Sequence, residues 1–182
     1  MTWEIARASG FVAYGLLAGS VILGLLVSSK LFGRTLSAKS LTFSHEGLAV
    51  GALLATITHL VALGMDQYVD FDLQALLLPG AASWQPQAVA LGVVAMWMLA
   101  IVTVSFYIRS LIGQKTWRFI HYSSFGAFVA ACAHGIMAGT DSGNPSALAL
   151  YGATGGVVVA LLIARVALAG ESRPPTRPSV PA

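Results

Sequence analysis

Five stretches of the chain contain no Lys, Arg, Asp or Glu: residues 8–29, 47–65, 73–108, 119–140 and 142–164. Each reaches, or nearly reaches, the roughly 20 apolar residues an α-helix needs to cross a bilayer. The pattern predicts five membrane helices, over Ala8–Ser29, Thr42–Met65, Gln87–Ile108, Thr116–Thr140 and Ser146–Ala169. The expected fold is therefore all-α, a polytopic membrane helical bundle, with residues 1–170 forming one transmembrane domain. The first stretch is longer than the 7 to 15 apolar residues of a secretory leader and reads as an uncleaved helix. The loop from Phe71 to Gln87 is too apolar for a solvated connection. It is expected to lie in the interface with Trp84 as anchor, covering one end of the bundle. Residues 171–182 hold four prolines and no apolar period, which predicts a disordered tail.

The sparse charges orient the bundle. Lys30, Arg34 and Lys39 lie between the first two helices, Arg109, Lys115 and Arg118 around the third connection, and Arg173 and Arg177 in the tail. The other connections carry Asp66, Asp70, Asp72 and Asp141 without a Lys or Arg. The positive-inside rule then places the amino terminus outside and the carboxyl terminus in the cytoplasm, as expected for a multi-pass protein of the cytoplasmic membrane.

Composition agrees: 57% of the 182 residues are hydrophobic and 9% charged, against roughly 25% charged in soluble domains. The net charge of +3 is spread over loops rather than along one stripe, so a lipid bilayer and no nucleic acid is the expected partner. Five spans leave no room in these residues for a flavin or nucleotide domain of about 100 residues. Soluble redox chemistry is expected from another chain. The lone Cys132 lies inside a predicted span and reads as packing.

The chemistry-bearing residues are four histidines, confined to two helices: His45 and His59 on the second, His121 and His134 on the fourth. Ionisable side chains in a span are costly and mark functional sites, and imidazole is a good ligand for iron. Intervals of fourteen and thirteen residues correspond to about 21 and 20 Å of helix rise, so the histidines fall at two depths, one from each helix at each depth. A tetrahedral zinc site wants three or four ligands at one depth, whereas a flat haem takes two axial ligands. Pairs favour haem: His45 with His121 at the inner level, His59 with His134 at the outer. Fourteen residues return within about 40° of the same helix face but thirteen end about 140° away, which two non-coplanar rings, or a bend or wide turn near Gly126 that redirects His134, would accommodate. Gly47, Gly51, Ala52, Ala55, Gly126, Ala127, Ala130, Ala131 and Gly135 are small enough to leave room for a macrocycle or to pack helices closely. Trp117, Arg118 and Lys115 are candidates for the inner site, with Arg118 or Lys115 facing a haem propionate. Glu46 reads as an interface residue or a proton relay, and Arg165 as a snorkelling cation.

The runs His45-Glu-Gly-Leu-Ala-Val-Gly to Thr58-His59, and Trp117-Arg-Phe-Ile-His121-Tyr to Ala-His134-Gly, give His-x13-His on one helix and His-x12-His on a later one. This pattern resembles the ferric reductase-like transmembrane domain superfamily over roughly residues 10–165. That family includes ferric reductases, the membrane half of NADPH oxidases and the haem subunit of a methionine sulfoxide reductase system. The resemblance implies two stacked b-type haems, His45 and His121 on the inner iron and His59 and His134 on the outer. Single electrons would pass from a cytoplasmic flavoprotein or quinol donor to an external acceptor. The family commonly has six spans and its reductases carry a fused flavin and nicotinamide domain, both lacking here. The resemblance thus implies an oxidoreductase-type haem subunit working with a separate electron partner. The alternatives are an anchor or assembly subunit of a larger redox complex, with one haem or none and other membrane subunits as partners, and a metal-ion transporter. The transporter is disfavoured because no Asp or Glu lies deep in a span.

Overall fold

A computed structural model describes residues 1–29, 37–69 and 71–171. Lys30, Arg34, Asp70, Arg173, Arg177 and the Pro-rich tail lie outside these residues. The described chain is helical: α1 (Thr2–Ser29), α2 (Ala38–Gly64), α3 (Leu73–Leu77), α4 (Pro86–Tyr107), α5 (Arg109–Ile112), α6 (Gln114–Ala138) and α7 (Pro145–Glu171). Four of them, α1, α2, α4 and α7, are long and apolar enough to cross a membrane. This makes the chain a multi-pass membrane protein. The expected fifth span, α6, has the length but a lower hydropathy. Its 25 residues carry Lys115, Arg118, two histidines and a Ser123-Ser124 pair.

Local chemistry sets the element ends. The Asp72 carboxylate accepts the Ala75 N–H at 2.7 Å and caps α3. Pro86, which has no N–H to satisfy, opens α4. Gly113 adopts φ +81 between α5 and α6, a conformation that penalises any residue with a Cβ.

The bundle is two antiparallel hairpins side by side. α1 packs along α2, α4 packs along α6, α1 also touches α6, α2 touches α4, and α7 lies outside against α1. Among the described residues α2 and α6 make no close backbone contact and so stand diagonally across the bundle. A partition of Tyr14, Leu17, Leu25, Ala52, Leu99 and Phe128 fills the middle of the bundle. Phe71, Ala75, Ala82, Val89 and Val93 form a second cluster at the α3 end. Trp84 stands edge-on to Phe71, with centroids 6.2 Å apart, and both pack with Val89 and Val93 of α4, so the loop folds back over the bundle end. At the same end Thr2 Oγ1 donates to Asp66 at 2.7 Å, and the Tyr68 N–H to the other oxygen at 2.9 Å. The Thr2 hydroxyl first, and that N–H second, hold the Asp66 carboxyl below its usual range.

Candidate paired-histidine site

The four histidines meet in two pairs across the diagonal between α2 and α6. The ring centroids of His45 and His121 are 5.9 Å apart, and those of His59 and His134 are 6.4 Å apart. The rings are crossed at 76° and 79°. The two levels are about 21 Å apart along α2.

Three of the four rings are held by the same device. His59 Nδ1 donates to the Ala6 carbonyl at 2.7 Å, His45 Nδ1 to the Ser20 carbonyl at 2.8 Å, and His134 Nδ1 to the Ala88 carbonyl at 2.8 Å. Four residues after each of these carbonyls the neighbouring helix carries a glycine, Gly10, Gly24 or Gly92, and the ring lies on it. A Cβ at Gly10 or Gly24 would come within 3.2 or 3.1 Å of the ring, and one at Gly92 within 2.7 Å. Absence of the side chain is what admits the imidazole. The device repeats on α1 because α1 and α2 are antiparallel: moving fourteen residues along α1, from Ala6 to Ser20, matches moving fourteen back along α2, from His59 to His45. Ser20 adds its hydroxyl, 3.1 Å from both the His45 carbonyl and Nδ1. With Nδ1 engaged as a donor, Nε2 carries the free lone pair and is the atom left to bind a metal.

His121 is held differently. Among the described residues its ring makes no hydrogen bond, and it stacks on Trp117, one turn earlier, at 5.1 Å and 27°. α6 runs as one helix from Gln114 to Ala138, with Gly126 against Met98. Of its two imidazoles only His134 reaches the α4 backbone.

Each pair opens onto its own cleft. The His59–His134 cleft is walled by Trp3, Phe11, Phe71, Trp84 and Met96, with Arg7 at its rim donating to Asp141 through Nε at 2.8 Å. The His45–His121 cleft is bordered by Glu46, Thr103, Phe106, Trp117, Arg118 and Arg165, whose guanidinium donates to Ser28 at 3.0 Å. The clefts hold roughly 1290 and 1440 Å³ free of protein atoms, their open mouths included.

These dimensions discriminate between ligands. Two imidazoles bound to opposite sides of one metal, at about 2.0 Å each, put their ring centres about 6 Å apart. Both pairs have that spacing. Among the described residues no three His, Cys, Asp or Glu side chains converge, so a tetrahedral metal site is not formed. The Thr103 hydroxyl and Trp117 Nε1 are buried without a partner, leaving polar atoms at the His45–His121 cleft for a bound group to satisfy.

Trp117 and Arg118 border this cleft, Arg118 from an exposed position, whereas Lys115 is exposed and outside its lining. Of the small residues, Ala131 and Gly135 line the His59–His134 cleft, Gly51 packs on Leu16, and nothing approaches Gly47. Sequence reasoning missed α1: the Ala6 and Ser20 carbonyls, Gly10, Gly24 and Arg7. It also missed Ala88, Gly92 and Thr103 on α4. The repeat of Gly10 and Gly24 at the His45–His59 interval was the signal available. No family model, curated protein or solved structure matches the chain.

Proposed function

We propose that this protein conducts single electrons across a membrane through two b-type haems, one held between His45 and His121 and the other between His59 and His134. The observation that carries this reading is the spacing of the two histidine pairs, 5.9 and 6.4 Å, each pair lining its own cleft. When bound, a b-type haem supplies a ferric/ferrous couple. The chain supplies the rest: α1 and α4 carbonyls fix three imidazole tautomers, their glycines set ring depth, and the apolar partition at Leu99, which borders both clefts, excludes water between the levels. The resemblance to the ferric reductase-like family agrees with this arrangement.

In this reading α6 is the fifth span. Its histidines turn into the clefts, which removes much of its polar load from lipid. Lys39, Arg109, Lys115, Arg118 and Arg165 gather at the His45 end and Asp66, Asp72 and Asp141 at the other, so the His45 level is cytoplasmic and the amino terminus outside. The host is the cytoplasmic membrane. A separate flavoprotein or quinol serves as cytoplasmic electron partner, and the segment from Phe71 to Trp84 screens the outer level from the external one. Level-specific ligand loss tests this. His59→Ala and His134→Ala are expected to lose the same single haem of two, and His45→Ala and His121→Ala the other. Either member of a pair removing a different haem from its partner contradicts the pairing.

A further inference from the structure

We propose that the two levels differ in electron affinity, so that an electron shared between them rests at the His45–His121 level. The inference depends on the reading that both levels hold haem and concerns how this chain's residues tune it.

Two independent features act in the same direction. The first is the ligand. An imidazole that donates its Nδ1–H to a carbonyl pushes more electron density through Nε2 and favours ferric over ferrous iron. At the His59–His134 level both rings are anchored in this way, at 2.7 and 2.8 Å. At the other level only His45 is, because the thirteen-residue interval on α6 turns His121 off the α4 backbone and onto Trp117. One axial ligand there is the weaker donor.

The second feature is fixed charge. Arg118 and Arg165 border the His45–His121 cleft against the single carboxylate of Glu46, a net positive charge. At the His59–His134 cleft Arg7 is neutralised by its bidentate pairing with Asp141. Reduction adds one negative charge at the metal, and a net cation at the cleft favours it, more from the half-buried Arg165 than from the exposed Arg118. The unpaired Trp117 N–H lies on the same side and can only donate, and the unpaired Thr103 hydroxyl beside it can donate as well.

With haem held at both levels, transfer between them would move one electron with no bond made or broken and no co-reactant needed. It is downhill inward, so outward conduction of the kind the resemblance implies must climb one step inside the protein. The inner level then works as the holding site, filled before the outer one.

An optical redox titration of the haem-loaded protein tests this. Two one-electron components are expected, separated by at least tenfold in equilibrium constant, which is about 59 mV for one electron. The higher component should persist in His59→Ala and vanish in His45→Ala. Arg165→Gln, which keeps all four ligands, should lower the higher component and leave the lower one in place. Persistence of only the lower component in His59→Ala, or an Arg165→Gln shift confined to the lower component, overturns the assignment. A wild-type protein with no haem spectrum would instead sink the haem reading itself, and this ordering with it.

Discussion

Gly92→Ala is the most informative single substitution, because it crowds one histidine ring and leaves all four histidines in the sequence. The added Cβ would stand 2.7 Å from Cε1 and Nδ1 of His134 and 3.0 Å from Cγ. Carbon atoms in contact sit about 3.5 to 4.0 Å apart, so the ring must retreat by roughly 1 Å. Retreat lengthens the 2.8 Å bond from Nδ1 to the Ala88 carbonyl beyond hydrogen-bond range. Leaving that buried donor unpaired costs about 1 to 3 kcal/mol, and disturbed second-shell partners of metal-bound histidines typically cost 10- to 100-fold in affinity. The outer haem should therefore be lost or weakly held while the inner remains. Gly47→Ala is the control: nothing lies near its Cβ, and the change should stabilise α2 by up to about 1 kcal/mol. Haem content per chain, together with the reduced-minus-oxidised spectrum and a thermal unfolding curve, reads both effects. A Gly92→Ala protein with two haems and an unchanged spectrum would refute the idea that glycine admits the ring.

Gly10→Ala and Gly24→Ala meet their rings at 3.2 and 3.1 Å and should weaken the outer and inner haem respectively, by less than Gly92→Ala does, in the same haem assay. The crossed rings, at 76° and 79°, should give both ferric sites the strongly anisotropic low-spin electron paramagnetic resonance signal of perpendicular imidazoles; the rhombic signal of parallel rings would contradict the geometry. The Asp66 carboxyl is depressed in the folded state, so its contribution is fully present above the ordinary carboxylate value of 3.8 and is lost as pH falls through the lower folded value. An acid titration of unfolding should show this loss in wild type and not in Asp66→Asn. Arg7→Gln should cost less than about 1 kcal/mol, because the guanidinium is 43% exposed, and that loss should shrink as salt is added.

How much of this was written in the sequence differs between side chains and backbone. The helices were legible because apolar runs must match bilayer thickness, and α2 and α4 begin and end within a few residues of expectation. The four histidines were legible because imidazoles are conspicuous in such runs. Their pairing by depth followed from rise per residue alone. The anchors of three of them were not, since every residue offers a carbonyl and only three-dimensional register selects Ala6, Ser20 and Ala88. Gly10 and Gly24 are set apart from other small membrane residues only by sharing the fourteen-residue interval of His45 and His59. The phase mismatch on α6 shows in the rings: His134 reaches the α4 backbone, and His121 stacks on Trp117. The cover over one end was half legible. An apolar loop with Trp84 signalled burial, but only the fold shows Phe71, Ala75, Leu76 and Trp84 facing the outer cleft.

The most direct test of the central claim is a pyridine haemochrome count on the full chain, expressed in haem-replete cells and purified in detergent. Two b-type haems per polypeptide is the predicted result. A folded, helical protein that binds none would contradict the paired-histidine conduit and leave the histidines as links between helices.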